Sequence, residues 1–185
     1  MGRRNYLIEG ASGTGKTAVC HELRRRGYSA INGDRELAYQ GDPATGEPRG
    51  DITGLAVHDH HLWRVADVEA LTADGLEPVT FFCGGSRNAE QFIHLFDGVF
   101  VLQIDGATLT ARLDQRAEDE WGGTPEQRDL IVRLHRTGVG LPSGGIVIDA
   151  TVPITRVVEE ILRVADPGAG PRTRLPGGAA SRLRN

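Results

Sequence analysis

The sequence predicts a three-layer α/β fold, a five-stranded parallel sheet covered by helices on both faces, and three observations predict it. Short apolar runs recur along the chain, at 6–9, 29–31, 79–83, 99–104 and 146–148. Each is followed by sequence with a helical period, and strands that alternate with helices build parallel sheets buried on both faces. Between the first run and the first helix stands Gly10-Ala11-Ser12-Gly13-Thr14-Gly15-Lys16-Thr17, which fits G-x-x-x-x-G-K-[ST] at every position.

The first strand, Tyr6-Leu7-Ile8 and Glu9, delivers the chain into that loop. Its glycines let successive backbone N–H groups turn inward around a polyphosphate, and the helix over 17–26 aims the positive end of its dipole at the same oxygens. Gly10, Ser12, Gly13, Thr14, Gly15, Lys16, Thr17 and Ala18 are therefore expected to hold the phosphates of a nucleotide. Lys16 reaches the β and γ phosphates, and Thr17 gives its hydroxyl to Mg²⁺, which takes few protein ligands. Lys16 is the only lysine of the chain; every other basic residue is arginine apart from the histidines. A compact ammonium fits inside such a loop where a planar guanidinium fork does not. The helix buries Val19, Cys20 and Leu23 on one side and stops at Arg24-Arg25-Arg26-Gly27, cations in the last turn and then a glycine.

The second strand runs into Asn32-Gly33-Asp34-Arg35 and then a long polar stretch, 40–51, of a length that is usually functional or mobile. It leads to His58-Asp59-His60-His61-Leu62-Trp63 and a helix to about residue 73. Nothing in the sequence completes a metal site around the histidines, so they read as exposed residues at a helix start. Trp63, with Val65, Ala66 and Val68, reads as packing. The third strand closes as Phe81-Phe82-Cys83-Gly84-Gly85-Ser86-Arg87-Asn88, and a helix carrying Phe92, Ile93, Leu95 and Phe96 is expected next. Strand ends of an open parallel sheet line the ligand crevice, so the Gly84 to Asn88 cluster is placed to touch a substrate. This strand lacks the terminal aspartate with which many phosphate-loop hydrolases hold Mg²⁺ through water, which counts against a motor or signalling ATPase. After the fourth strand a helix is expected over 108–120, with Arg112 and Arg116 one turn apart on one face. Asp119-Glu120-Trp121-Gly122-Gly123-Thr124-Pro125 breaks it and 126–136 resumes it, which reads as a hinged flap. The last strand enters Asp149-Ala150-Thr151-Val152-Pro153 and a final helix to about residue 164.

A chain of 185 residues with 39% hydrophobic and 25% charged residues is one domain's worth of globular protein. No apolar run is long enough to span a membrane and no leader is visible, so a cytoplasmic protein is expected. Cys20 and Cys83 have no metal spacing and read as reduced core thiols. The net charge of −4 is unevenly spread, since Arg172, Arg174, Arg182 and Arg184 crowd the end of the chain against Asp166 alone. The acidic body argues against nucleic acid as a partner, and the Gly-, Pro- and Arg-rich segment 166–185 reads as a disordered tail.

Taken together these residues resemble the small phosphate-loop kinases, the shikimate, gluconate, nucleoside and nucleotide kinases, over about 5–165. The resemblance implies a P-loop NTPase fold with strand order 2-3-1-4-5 and a small helical lid. It implies a kinase-like domain over 1–165, with an acceptor-binding insertion at 34–75 and a lid at 112–136. In shikimate and gluconate kinases an aspartate just after the second strand contacts the acceptor hydroxyl, and Asp34 stands there; the shikimate kinase pattern is Asp-x-Asp, and here the first member is Asn32. Glycines close the third strand of shikimate kinase against its substrate, as Gly84-Gly85 do here. Lid arginines of the family lie over the adenine and clamp the phosphates, the roles implied for Arg112 and Arg116. The loop that borders the adenine corresponds to 149–153, with Asp149 and Pro153. The implied activity is ATP-dependent phosphoryl transfer to a nucleoside, nucleotide, sugar acid or antibiotic hydroxyl, with ATP and Mg²⁺ as cofactors. Lys16, Asp34 and Arg116 are its catalytic residues, Thr17 and Asp34 its metal ligands, and Asp34, Arg35, Gly84, Gly85, Arg87 and Asn88 its acceptor site. The rival reading is a nucleotide-binding switch or regulatory NTPase, which would hydrolyse slowly and ignore small acceptors.

Overall fold

A computed structural model describes residues 3–168; the arginine-rich end of the chain lies outside the described residues. The main sheet is built from β1 (Arg4–Glu9), β2 (Ser29–Asn32), β5 (Val79–Cys83), β6 (Gly98–Gln103) and β7 (Ile146–Asp149). These strands pair in parallel in the order β2-β5-β1-β6-β7, which counted within this sheet is 2-3-1-4-5. Connecting them are helices α1 (Lys16–Arg25), α4 (Val65–Asp74), α5 (Gly106–Asp114), α6 (Pro125–Thr137) and α7 (Ile154–Ala165), with single turns α2 (Gly33–Glu36) and α3 (Ala56–Asp59).

The apolar runs are continuous because both faces of the sheet are covered. Tyr6 and Ile8, Phe81 and Cys83, and Phe100 and Leu102 pack with Val19, Leu23, Val158 and Ile161 of α1 and α7. The intervening Leu7 and Phe82 turn the other way and pack with Leu37, Trp63, Val68 and Phe92. The alternation of two along each strand thus feeds two separate cores. Both cysteines are free and buried. Among the described residues no helix is long and apolar enough to cross a membrane.

Three expectations are corrected. The segment after β2 is not one long loop entering a helix: β3 (Ala38–Gln40) pairs antiparallel with β4 (His61–Trp63), so the polar stretch is the excursion between two short strands. The helix expected after β5 is replaced by two 3₁₀ turns, Ala89–Gln91 and Ile93–Leu95. There the Asn88 side chain is bonded to the backbone of Trp63, and Asp97 is tied to Asn5 at the other end, so both ends of the segment are anchored to other strands. The helix expected over 108–120 ends at Asp114, because Arg116 turns back toward the phosphate loop.

Candidate active site

The loop between β1 and α1 folds as its glycines allow. Gly13 and Gly15 have φ of 91° and 103°, which side-chain-bearing residues rarely adopt. A Cβ at Gly10 would lie 2.6 Å from Thr14 Oγ1 and 2.8 Å from the Leu102 carbonyl oxygen, so only glycine fits where the strand enters the loop. Thr14 is buried and its hydroxyl donates to the Ala11 carbonyl, 2.8 Å, closing the loop from within. The Lys16 ammonium donates to the Gly10 carbonyl at 2.6 Å and the Ala11 carbonyl at 3.4 Å. Its partners are therefore neutral loop oxygens, which a phosphate can outcompete by charge. The first N–H groups of α1 have no intrahelical acceptor and face the same space. The chain's own residues thus fit a nucleoside triphosphate, with Thr17 exposed at the helix start for a Mg²⁺ ion.

Two cavities flank this loop. One, about 290 Å³, is lined by Thr14, Gly15, Ala18, Arg112, Ala150 and Val152 among others. Arg112 holds its edge, donating to the carbonyls of Gly13 (3.1 Å), Thr14 (3.0 Å) and Ala150 (2.8 Å). Arg112 therefore joins the loop to the turn after β7. Asp149 and Pro153 do not line this cavity: the exposed Asp149 carboxylate accepts from the Thr151 N–H and hydroxyl, and Ala150 and Val152 supply the wall instead.

The other cavity, about 390 Å³, opens on the opposite side and brings together Glu9, Ser12, Lys16, Asp34, Gly85 and Arg87. Asp34 Oδ1 accepts from the Gly85 N–H at 3.0 Å and lies 3.3 Å from His61 Nε2. Burial pushes the Asp34 carboxyl up, but the His61 bond, the Lys16 charge and the Gly85 N–H outweigh it and hold it below its usual range. It is a carboxylate at neutral pH. Trp63, fully buried and stacked on Phe92 with centroids 5.6 Å apart, supports this corner. A Cβ at Gly33 would fall 2.0 Å from Trp63 Cζ2, and one at Gly84 would fall 2.5 Å from it and 2.6 Å from Asp34 Oδ1. Gly33→Ala is therefore expected to cost about 1–3 kcal/mol through overpacking. It would show as a lower urea midpoint with an unchanged slope; an unchanged midpoint would mean that the indole moves aside freely.

A third wall comes from the chain after α5. Arg116 donates to Ser12 Oγ at 3.0 Å and to the Trp121 carbonyl. Burial lowers its pKa, opposed by the nearby Glu120 charge, so this cation has lost solvation while its hydrogen-bond partners are neutral, an arrangement that favours an incoming anion. Trp121 stacks on His58, 6.3 Å between centroids and 7° between planes, and with Ile131, Leu134, Val139 and Leu141 forms an apolar cover. Burial, and next the Arg87 charge, lowers the His58 pKa, so the ring that meets Trp121 is neutral.

Several site residues stand elsewhere than expected. Arg35 is exposed on the single turn α2 and outside the cavity lining. Asn88 is buried and spent on the fold, its amide bridging the Trp63 N–H and carbonyl. Gly84 lies behind Asp34, and only Gly85 faces the cavity. The histidines are half-buried rather than exposed: His58 and His61 line the cavity and His60 Nδ1 bonds the Gly41 carbonyl, 2.9 Å. Glu9, 2% exposed at the end of β1, is a site residue that the sequence reading passed over as a strand terminus.

No protein-family model and no curated protein sequence matches the chain. Solved structures do. A sugar kinase from Janibacter sp. HTCC2649 superposes with a TM-score of 0.56 at 18% identity, over 90% of this chain and 96% of that one. A shikimate kinase from Bacteroides thetaiotaomicron gives 0.57 at 14% identity, over 87% and 97%. A shikimate kinase from Acinetobacter baumannii, solved with shikimate, gives 0.57 at 16% identity, over 88% and 92%. At such identities the likeness speaks for architecture, and it agrees with the strand order and the loop described above: the chain has the fold of the small phosphate-loop kinases.

Proposed function

We propose that this protein is an ATP-dependent kinase of a small hydroxylated metabolite. One observation carries the reading: the phosphate loop lies between two cavities, one suited to a nucleoside and the other an acceptor-sized pocket with Lys16 and the Asp34 carboxylate in its wall. A switch protein has no need of the second. Mg²⁺, when held by Thr17 and Asp34, supplies charge neutralisation for the phosphate oxygens. The chain's own residues do the rest. Lys16 exchanges its loop carbonyls for phosphate oxygens, and Arg116 takes negative charge in place of Ser12 and Trp121. Asp34, fixed by Gly85 and His61, orients the acceptor hydroxyl. The new bond joins the acceptor oxygen to the γ phosphorus, the bond to the β–γ bridging oxygen breaks, ADP leaves, and the hydroxyl proton passes to Asp34. The apolar cover keeps water from competing.

The test is ADP release over a panel of nucleosides, nucleotides, sugar acids and aminoglycoside-like alcohols. At least one should stimulate release well above the acceptor-free rate, and Asp34→Asn should lower that stimulated rate about 10²-fold while ATP affinity stays within a few-fold. A slow release that no acceptor changes would favour the regulatory NTPase, and an equal loss of ATP binding in Asp34→Asn would make Asp34 a nucleotide and metal ligand only.

A further inference from the structure

We infer that the donor site holds its purine by stacking and apolar burial without reading the edge of the base, so that ATP and GTP serve as phosphoryl donors with little preference between them. The inference rests on the kinase reading and widens its donor; it concerns the smaller of the two cavities.

One purine is told from another by its edge. Adenine carries the N6 amino donor where guanine carries the O6 acceptor, and guanine adds the N2 donor. Selection therefore needs a polar group that is free to meet one pattern and not the other. The wall of the cavity of about 290 Å³ keeps no such group among the described residues. Its polar side chains are Thr14 and Arg112; Ala18, Val19, Ala150, Val152, Ile154 and Val157 are aliphatic. The Thr14 hydroxyl is spent on the Ala11 carbonyl, 2.8 Å. Arg112 Nη1 serves the Gly13 and Thr14 carbonyls, and Nη2 serves the Ala150 carbonyl.

The turn after β7 is engaged in the same way. The Ala150 N–H donates to the Gln103 carbonyl at 2.7 Å, and the Ala150 carbonyl, which an adenine amino group would need, holds Arg112 at 2.8 Å. The Thr151 N–H and hydroxyl, donors that guanine O6 would need, both go to Asp149 Oδ1, at 2.9 and 2.6 Å. Those two bonds also occupy the Asp149 carboxylate, the acceptor that guanine N2 would need, and Asp149 stands outside the lining. What the wall offers instead suits either purine. The guanidinium of Arg112, locked by protein carbonyls, is a rigid planar cation of the kind on which bases stack, and the aliphatic side chains bury the ring. Every base has such a face, so neither contribution depends on the edge.

Calorimetry on the full chain with Mg²⁺ tests this with three probes: the non-hydrolysable β,γ-imido analogues of ATP and of GTP, and tripolyphosphate, which has the phosphates without a base. The two analogues should bind wild type within about fivefold of each other, and each roughly tenfold or more tighter than tripolyphosphate, the usual worth of a stacked base. Asp149→Ala should leave both affinities unchanged, because that carboxylate is bonded to Thr151 and not to the base. Val152→Ala, which removes apolar wall, should weaken both analogues by the same factor and spare tripolyphosphate. A larger preference for either purine, analogues that bind no tighter than tripolyphosphate, or loss of one analogue but not the other in either variant would overturn the inference. Should Val152→Ala not fold, wild type and Asp149→Ala still decide. Acceptor-stimulated release of ADP and of GDP is read separately, so a protein that binds both purines but is no kinase is told apart from a kinase with a strict donor.

Discussion

Lys16→Met should abolish turnover in a protein that remains folded. The Lys16 side chain is half-exposed and its ammonium bonds only the Gly10 and Ala11 carbonyls, so its removal breaks no ion pair, although the Asp34 and Glu9 carboxyls lose a charge that lowers both. The loop itself is held by Thr14 and by glycine conformations that the substitution does not touch. The melting temperature is therefore expected to stay within a few degrees of wild type, an effect typical of a surface change. Phosphoryl transfer is another matter, since negative charge builds on the transferring group and no other lysine exists in the chain to meet it. A single preorganised donor of this kind is worth about 3 kcal/mol or more, roughly 10²–10³-fold in rate. ADP release in the presence of the best acceptor, measured beside circular dichroism and a melting curve, decides the matter. Near-normal turnover in a well-folded variant would remove the phosphate loop from the mechanism.

What the sequence disclosed follows from how far each signal reaches along the chain. The parallel strands were legible because burial on both faces makes them continuous apolar runs, and the loop because its motif spans eight positions. The pairing of β3 with β4 was not: each has three residues, and the pair is fixed by long-range bonds and by Trp63 rather than by any local period. The Phe92 and Phe96 spacing does read as helical, yet these rings are placed by contacts to Trp63 and Phe82 that lie outside the window. At the site, Lys16, Asp34, Gly85 and Arg87 converge on one cavity as their positions at strand ends implied. Asn88 and Arg35 do not, because a polar residue in a loop satisfies the fold or the solvent as readily as a ligand. Glu9 carried a signal that was available: a charged residue closing a strand that is otherwise apolar, one position before a glycine whose Cβ the fold forbids.

Glu9→Gln should stabilise the protein above neutral pH, by about 3 kcal/mol at pH 8 and little below pH 5. The sign follows from which form the fold tolerates. Burial is the largest influence on this carboxyl and raises it; Lys16 and Arg87 lower it and Asp34 raises it, leaving it at about 7 against an ordinary value near 4.5. A group whose pKa is raised on folding contributes its stability in full below about 4.5, and that contribution is lost as pH rises through about 7. The gap between the two values corresponds to about 3 kcal/mol. An amide of the same shape carries no such penalty, so the urea midpoints of wild type and variant should lie close together at pH 5 and separate steadily up to pH 8. Glu22 makes the opposite contribution without confusing the test. Its bond to Arg25 dominates, burial opposes it and Arg26 assists, which holds its carboxyl at about 2. Its stability is present above about 4.5 and is lost only as pH falls toward 2, outside the window measured. Midpoints that stay parallel from pH 5 to pH 8 would show that Glu9 ionises at no cost, and then water or a local cation already satisfies Oε2 in the free protein.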